Sequence, residues 1–226
     1  MRRRSLQVRR NGRLFALPID PKLPEASILV MDLPASNYRY TVDEYLAREL
    51  AATERHEFHD GEILAMSGGS MEASLITANF IRRAGNALDG KPCRVFESNL
   101  RVRIASQNRY VYPDSLIICG TVEFDPLDSK RHTILNPKVI IEVLSPSTEA
   151  YTRGDKFASY REIRTLEEYV MISQHRANVE SWLRQPDGDW SIVCYTGIEA
   201  TAKIRSLQIE MPMMQIYAGV EWPGKD

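Results

Sequence analysis

Three residues of this 226-residue chain have the types and spacing to do chemistry together: Asp114, Glu142 and Lys156. Glu142 lies inside Val139-Ile140-Ile141-Glu142-Val143-Leu144, where the other five residues are aliphatic. An ionised carboxylate in such a buried strand costs several kcal/mol unless it is paired, so a cation or a metal ion is expected beside it. Asp114 follows Pro113 at the entrance of another apolar run, Ser115 to Cys119, where a carboxylate can lean into a cleft. Lys156 follows the Glu142 strand on a segment of helical composition. Two strand carboxylates and a helix lysine make a hard-oxygen site suited to Mg²⁺ or Mn²⁺, which keep waters and take phosphate oxygens. The lysine would orient or deprotonate the attacking water, or stabilise charge on a phosphate.

The elements that must position these groups follow from local signals. Thr41 and Glu44 form a capping box, which predicts a helix from Val42 to about Ala52. Asp60-Gly61 predicts a β-hairpin over 55–66, and the apolar period of 70–88 predicts a longer helix. Strands are expected at 94–97, 100–104, 115–119 and 139–144, with a polar loop at 121–136. Strand alternation puts Glu142 on the face of Ile140 and Leu144. A helix is expected from Ser147 or Thr148 to about Arg164, then strands at 168–172, 179–183 and 190–195. The pattern predicts a mixed α+β fold with one main sheet flanked by helices.

Composition sets outer limits. With 43% hydrophobic and 26% charged residues, the chain is neither disordered nor a fibrous repeat, and its length suits one main domain. No apolar run is long enough for a membrane-spanning helix, so no membrane partner is expected. The formal charge of -1 divides unevenly: six arginines (Arg2, Arg3, Arg4, Arg9, Arg10, Arg13) precede any acid. With them set aside, 23 basic residues face 30 acidic ones. Residues 1–37 therefore read as an extended basic arm and 38–226 as one acidic domain. Cys93, Cys119 and Cys194 are far apart and odd in number, which predicts free thiols and a cytoplasmic setting. His56 and His59, three apart on a strand, point to opposite faces and make no zinc pair.

In order and spacing, Arg55-His56-Glu57-Phe58-His59-Asp60-Gly61-Glu62, Tyr112-Pro113-Asp114, Ile141-Glu142-Val143-Leu144-Ser145-Pro146-Ser147-Thr148 and Lys156-Phe157-Ala158-Ser159-Tyr160-Arg161 resemble the Uma-two restriction endonuclease family, also called domain of unknown function eight-twenty. That family is assigned to the PD-(D/E)xK nucleases. The resemblance implies a restriction-endonuclease-like core and a Mg²⁺-dependent DNA endonuclease acting on duplex DNA, commonly as a homodimer. It implies that Asp114 and Glu142 bind metal with the main-chain carbonyl of Val143. Lys156 would replace the superfamily lysine absent at Leu144, and Glu57 would be an auxiliary acid. Ala73, Asn99 and Thr152 depart from the family pattern. Those departures imply an alternative in which a catalytically impaired nuclease fold binds nucleic acid or protein. Phosphate affinity would come from local arginines, including Arg101 and Arg103, or from the arm.

Overall fold

The protein is described here from a computed structural model, over residues 5–10, 13–18, 38–66 and 68–222. The chain divides into two units, Met1–Arg39 and Tyr40–Asp226. In the first, β1 (Ser5–Arg10) and β2 (Arg13–Pro18) pair antiparallel as a hairpin. The side chains of the arginine-rich start lie outside the described residues.

Among the described residues the second unit holds three sheets, of six, five and two strands. In chain order its first elements are α1 (Val42–Ala51), β3 (His56–His59), β4 (Glu62–Ala65) and α2 (Met71–Ala87). Thr41 Oγ1 accepts from the Glu44 amide while Glu44 returns a carboxylate to the Thr41 amide, so α1 starts at the expected capping box. Asp60 and Gly61 both take positive φ (45° and 92°), the type I′ geometry that the right-handed strand twist favours in a two-residue hairpin. Next come β5 (Cys93–Glu97), β6 (Arg101–Ile104), β7 (Arg109–Val111), β8 (Ser115–Cys119), β9 (Thr133–Ile134) and β10 (Val139–Leu144). A helical crossover follows: α3 (Glu149–Tyr151), a π-helical turn (Thr152–Lys156) and α4 (Phe157–Tyr160). The chain ends with β11 (Glu168–Ser173), β12 (Asn178–Arg184), β13 (Trp190–Thr196), β14 (Thr201–Ile204), β15 (Ile209–Pro212) and α5 (Met213–Ile216).

The main sheet has the order β13-β12-β11-β10-β8-β5, and a smaller one runs β4-β3-β7-β6-β9. In the main sheet β10 and β11 are parallel, the pairing that a helical crossover permits, and the other neighbours are antiparallel. Every residue of β10 is buried. Val139, Ile141 and Val143 share a core with Ile76, Phe80 and Ala84 of α2. Ile140 and Leu144 pack on the other face with Phe157, Tyr160, Ile163 and Leu166 of the crossover. The continuous apolar run of β10 is thus explained by cover on both faces.

Three expectations are corrected. The helix planned to Arg164 ends at Tyr160, because tight i→i−3 turns at Glu162 and Ile163 turn the chain back and bury Ile163 and Leu166 before β11. Cys93 and Cys119 face each other in the β5–β8 register and form a disulfide, leaving Cys194 as the free cysteine. Their separation in sequence hid that register, so the premise of isolated thiols behind a cytoplasmic setting fails. The segment 121–136 is not loop throughout: Thr133–Ile134 form β9 beside β6, and Asp125 and Asp128 are buried, bound to Arg103 and Arg101 respectively. Those two arginines are engaged inward and are not free for phosphate. Among the described residues no helix is long and apolar enough to cross a membrane.

Candidate active site

The site forms where the chain passes from the small sheet to the large one. Tyr112-Pro113-Asp114 joins β7 directly to β8, so residues beside β7 are brought against the start of β8. Glu57 stands on β3, which pairs with β7 through Phe58↔Tyr110. Asp114 precedes Ser115, whose partner on β10 is Ile141. Among the described residues the β8 side of β10 has no ladder partner beyond Ile141, and the Asp114 carboxylate takes that role: Oδ2 accepts from the Val143 N–H at 2.6 Å. An unmade bond at such a buried amide costs about 1–3 kcal/mol, so one acid serves the fold while presenting its charge to the site.

Glu142 lies on the Ile140/Leu144 face, as alternation predicts, and so points at the crossover. There Lys156 Nζ approaches Glu142 Oε1 at 2.8 Å and Glu57 Oε1 at 3.4 Å, and donates to the Tyr112 carbonyl at 3.2 Å. The Tyr160 hydroxyl donates to Glu142 Oε1 at 2.9 Å. Glu142, Glu57 and Lys156 are 4%, 7% and 7% exposed, so solvent cannot stand in for these partners. The sequence expectation thus holds in its physical core: a carboxylate inside an aliphatic strand has found a cation.

Glu57 is the most fully held of the acids. Its Oε1 accepts from the Tyr112 N–H at 3.2 Å. Its Oε2 accepts from the Tyr151 hydroxyl at 3.3 Å and lies 3.2 Å from His59 Nε2. Tyr151 and His59 also meet each other at 3.2 Å with stacked rings. Burial opposes the charge on Glu57, but Lys156, His59 and the Tyr112 amide outweigh it and bring Glu57 down to about 2. Glu142 has the opposite balance, burial pushing it up to about 8 against the pull of Lys156. Asp114 is also raised by burial, despite the Val143 hydrogen bond and Lys156. Burial disfavours the Lys156 ammonium as well, yet Glu142, Glu57 and Asp114 together hold it above the ordinary lysine range. Three carboxyl groups thus act on one ammonium and outnumber it.

All four acid and base residues singled out in the sequence therefore act on one another. Among the described residues, no group of three or more His, Cys, Asp and Glu side chains is placed to hold a metal ion; the acids gather on Lys156 instead. Sequence reasoning missed Tyr151, Tyr160 and His59. Tyr160 had a signal, one helical turn after Lys156 on the same face. Tyr151 had none, because only the π turn brings a residue five before Lys156 onto the same carboxylate. Single π turns inside helices recur at functional sites. Of the departures from the family pattern, Thr152 is buried and its carbonyl accepts from the Tyr169 hydroxyl. Ala73 offers its amide to the Ser70 cap.

Residues 42–213 match the Uma2 family, described as "Putative restriction endonuclease". Two uncharacterised proteins of Synechocystis sp. (strain ATCC 27184 / PCC 6803 / Kazusa) are similar. The one named slr1290 is 35% identical over 179 residues, covering 79% of this chain and 91% of its own. The other, sll1609, is 33% identical over 169 residues, covering 75% and 94%. The fold is also similar to the crystal structure of a "putative nuclease belonging to DUF820" from Anabaena variabilis ATCC 29413. That likeness has a TM-score of 0.63 at 14% identity and covers 80% of this chain and 99% of that one. With its matched segment spanning the whole site from Glu57 to Lys156, the chain belongs to the Uma2 family.

Proposed function

We propose that this protein is a Mg²⁺- or Mn²⁺-dependent endonuclease that hydrolyses phosphodiester bonds in duplex DNA. One observation carries the reading: Glu57 on β3 and Glu142 on β10 both meet one buried lysine, and Asp114, at the entrance of β8, acts on its charge as well. The donor set fits a hard divalent cation in its chemistry, since it offers carboxyl oxygens. Burial raises Glu142 and Asp114, the marks of acids short of positive charge. Asp114, Glu142 and Glu57 would hold the ion with the main-chain carbonyl of Val143. In a strand the N–H and C=O of one residue point to the same edge, so that carbonyl lies where β8 has ended. When bound, the cation supplies Lewis-acid stabilisation at the phosphoryl group and a nucleophilic water at neutral pH.

The remaining work falls to the chain. Lys156 keeps its ammonium as a fixed donor for the attacking water or a phosphoryl oxygen. Tyr160 fixes the Glu142 oxygen that Lys156 approaches. Tyr151 and His59 hold the outer oxygen of Glu57, so that its inner one stays on Lys156. Arg55 is exposed, held by Ser98, and its charge lowers Asp114, which makes it a candidate for a flanking phosphate. The test is cleavage of plasmid and linear DNA with Mg²⁺ or Mn²⁺ at low salt, beside Glu142→Ala and Lys156→Ala. Metal-dependent cleavage by the parent and its loss in both variants is expected. Cleavage that survives both substitutions would sink the site assignment. Salt-sensitive binding with no cleavage would instead favour a nuclease fold retained as a binding module.

A further inference from the structure

At the edge of the main sheet farthest from β5 lies β13, whose seven residues pair with β12 without interruption. Among the described residues β12 is its sole ladder partner. The Gln185 amide donates to the Asp189 carbonyl and the Gly197 amide to the Ala177 carbonyl, which fixes the alternation of the ladder. Ser191, Val193 and Tyr195 therefore turn their backbone groups toward β12, while Trp190, Ile192, Cys194 and Thr196 turn theirs outward.

Exposed edges are normally protected by lysines, proline, a bulge or short length. The run Trp190-Ser191-Ile192-Val193-Cys194-Tyr195-Thr196 has no charge, no proline and no bulge. Its centre is apolar and open on both faces: Ile192 is 44% exposed, Val193 on the opposite face 37%, and Cys194 is exposed as well.

The geometry points to a second copy of this chain as the occupant of the β13 edge, joined antiparallel across a two-fold axis at Val193. Only registers that pair outward-facing residues with one another make ladder bonds, and among these the one centred on Val193 uses the whole strand. It sets Ile192 opposite Cys194 of the partner subunit and Trp190 opposite Thr196 of the partner subunit. It forms about eight backbone hydrogen bonds, two for each of the four outward pairs. No like charges are opposed, which is the electrostatic condition for a strand to pair with itself. The dyad of an antiparallel pair is perpendicular to the sheet, so β10 of the two copies would run in opposite directions. Such a dimer extends the sheet and leaves each candidate site to act alone.

This inference is independent of the proposed chemistry and is tested by mass in solution on the full chain. Light scattering should give about twice the 25.8 kDa of one chain. Val193→Lys, which puts two ammoniums on the dyad, should halve that mass with an unchanged far-ultraviolet spectrum. Val193 and its symmetry mate form a non-hydrogen-bonded pair, whose Cβ spacing suits a disulfide. In a Cys194→Ser background, Val193→Cys should therefore become a covalent dimer under diamide, whereas Lys203→Cys should not. A monomeric parent up to its solubility limit overturns the inference. So does a dimer that Val193→Lys leaves intact, or one in which Val193→Cys fails to cross-link.

Discussion

Lys156 Nζ and Glu142 Oε1 meet at 2.8 Å in a space closed to solvent, one supplied by the crossover and the other by the strand that leads into it. The pair is a product of chain order. β10 presents Glu142 on the face that the crossover must cover, and the crossover brings a cation to it.

Lys156→Met should therefore be destabilising. It leaves Glu142, Glu57 and Asp114 buried without their shared cation, and breaking a buried pair this way costs about 3–5 kcal/mol. Adding Glu57→Gln to Lys156→Met should recover part of the loss, because Glu57, held down to about 2, is the acid whose charge is left stranded. Urea denaturation of the two variants and the parent provides the comparison. Equal loss in the single and double variants would mean that the lysine contributes packing rather than charge.

Asp114→Asn separates fold from metal. The side-chain carbonyl of asparagine can still accept from the Val143 amide, so stability should stay within about 1 kcal/mol of the parent. The charge offered to a cation is lost. Titration calorimetry with Mn²⁺ should show binding in the parent and a fall of at least tenfold in the variant. An unchanged Mn²⁺ isotherm would remove Asp114 from the ligand set.

What could be read in the sequence was what local physics dictates. The aliphatic setting of Glu142 required a partner, the Asp60-Gly61 turn fixed the register that places Glu57, and the Thr41/Glu44 box started α1 where expected. Features that depend on distant pairing were not legible. Cys93 and Cys119 become neighbours only through the β5–β8 register, and the inward engagement of Arg101 and Arg103 follows from the path of the segment 121–136. The π turn was equally hidden. Residues five apart on an α-helix stand about 140° apart, so nothing marked Tyr151 as a companion of Lys156.

Asp128 provides a test by pH away from the site. Its carboxylate accepts from Arg101, the Thr133 hydroxyl and the amides of Lys130 and His132. Burial alone would raise its pKa, but the Thr133 and Arg101 partners outweigh burial and lower it. A depressed carboxylate stabilises the fold above its unfolded pKa, about 3.9, and that stability is lost as pH falls through the folded value. Asp128→Asn should thus cost about 1–3 kcal/mol at pH 7. The gap from the parent should close as pH drops below about 4. A gap constant from pH 7 to pH 3 would show that the asparagine fails for reasons of shape.

Tyr151→Phe probes the outer end of the Glu57 network. The phenol donates to Glu57 Oε2 and touches His59, and it is half-buried, so phenylalanine fills nearly the same space. Stability should change by less than about 1.5 kcal/mol, the usual range for one hydrogen bond. If the phenol orients a metal-binding carboxylate, its loss should lower the cleavage rate about tenfold or more, the usual scale for groups that position ligands. The fall should appear in kcat with KM for DNA little changed, because the hydroxyl acts through Glu57 and not on the duplex. Raising Mn²⁺ should restore part of the rate if Glu57 has merely become a looser ligand. A variant that instead loses DNA affinity at unchanged kcat would make Tyr151 a contact for the substrate rather than a support for the acid.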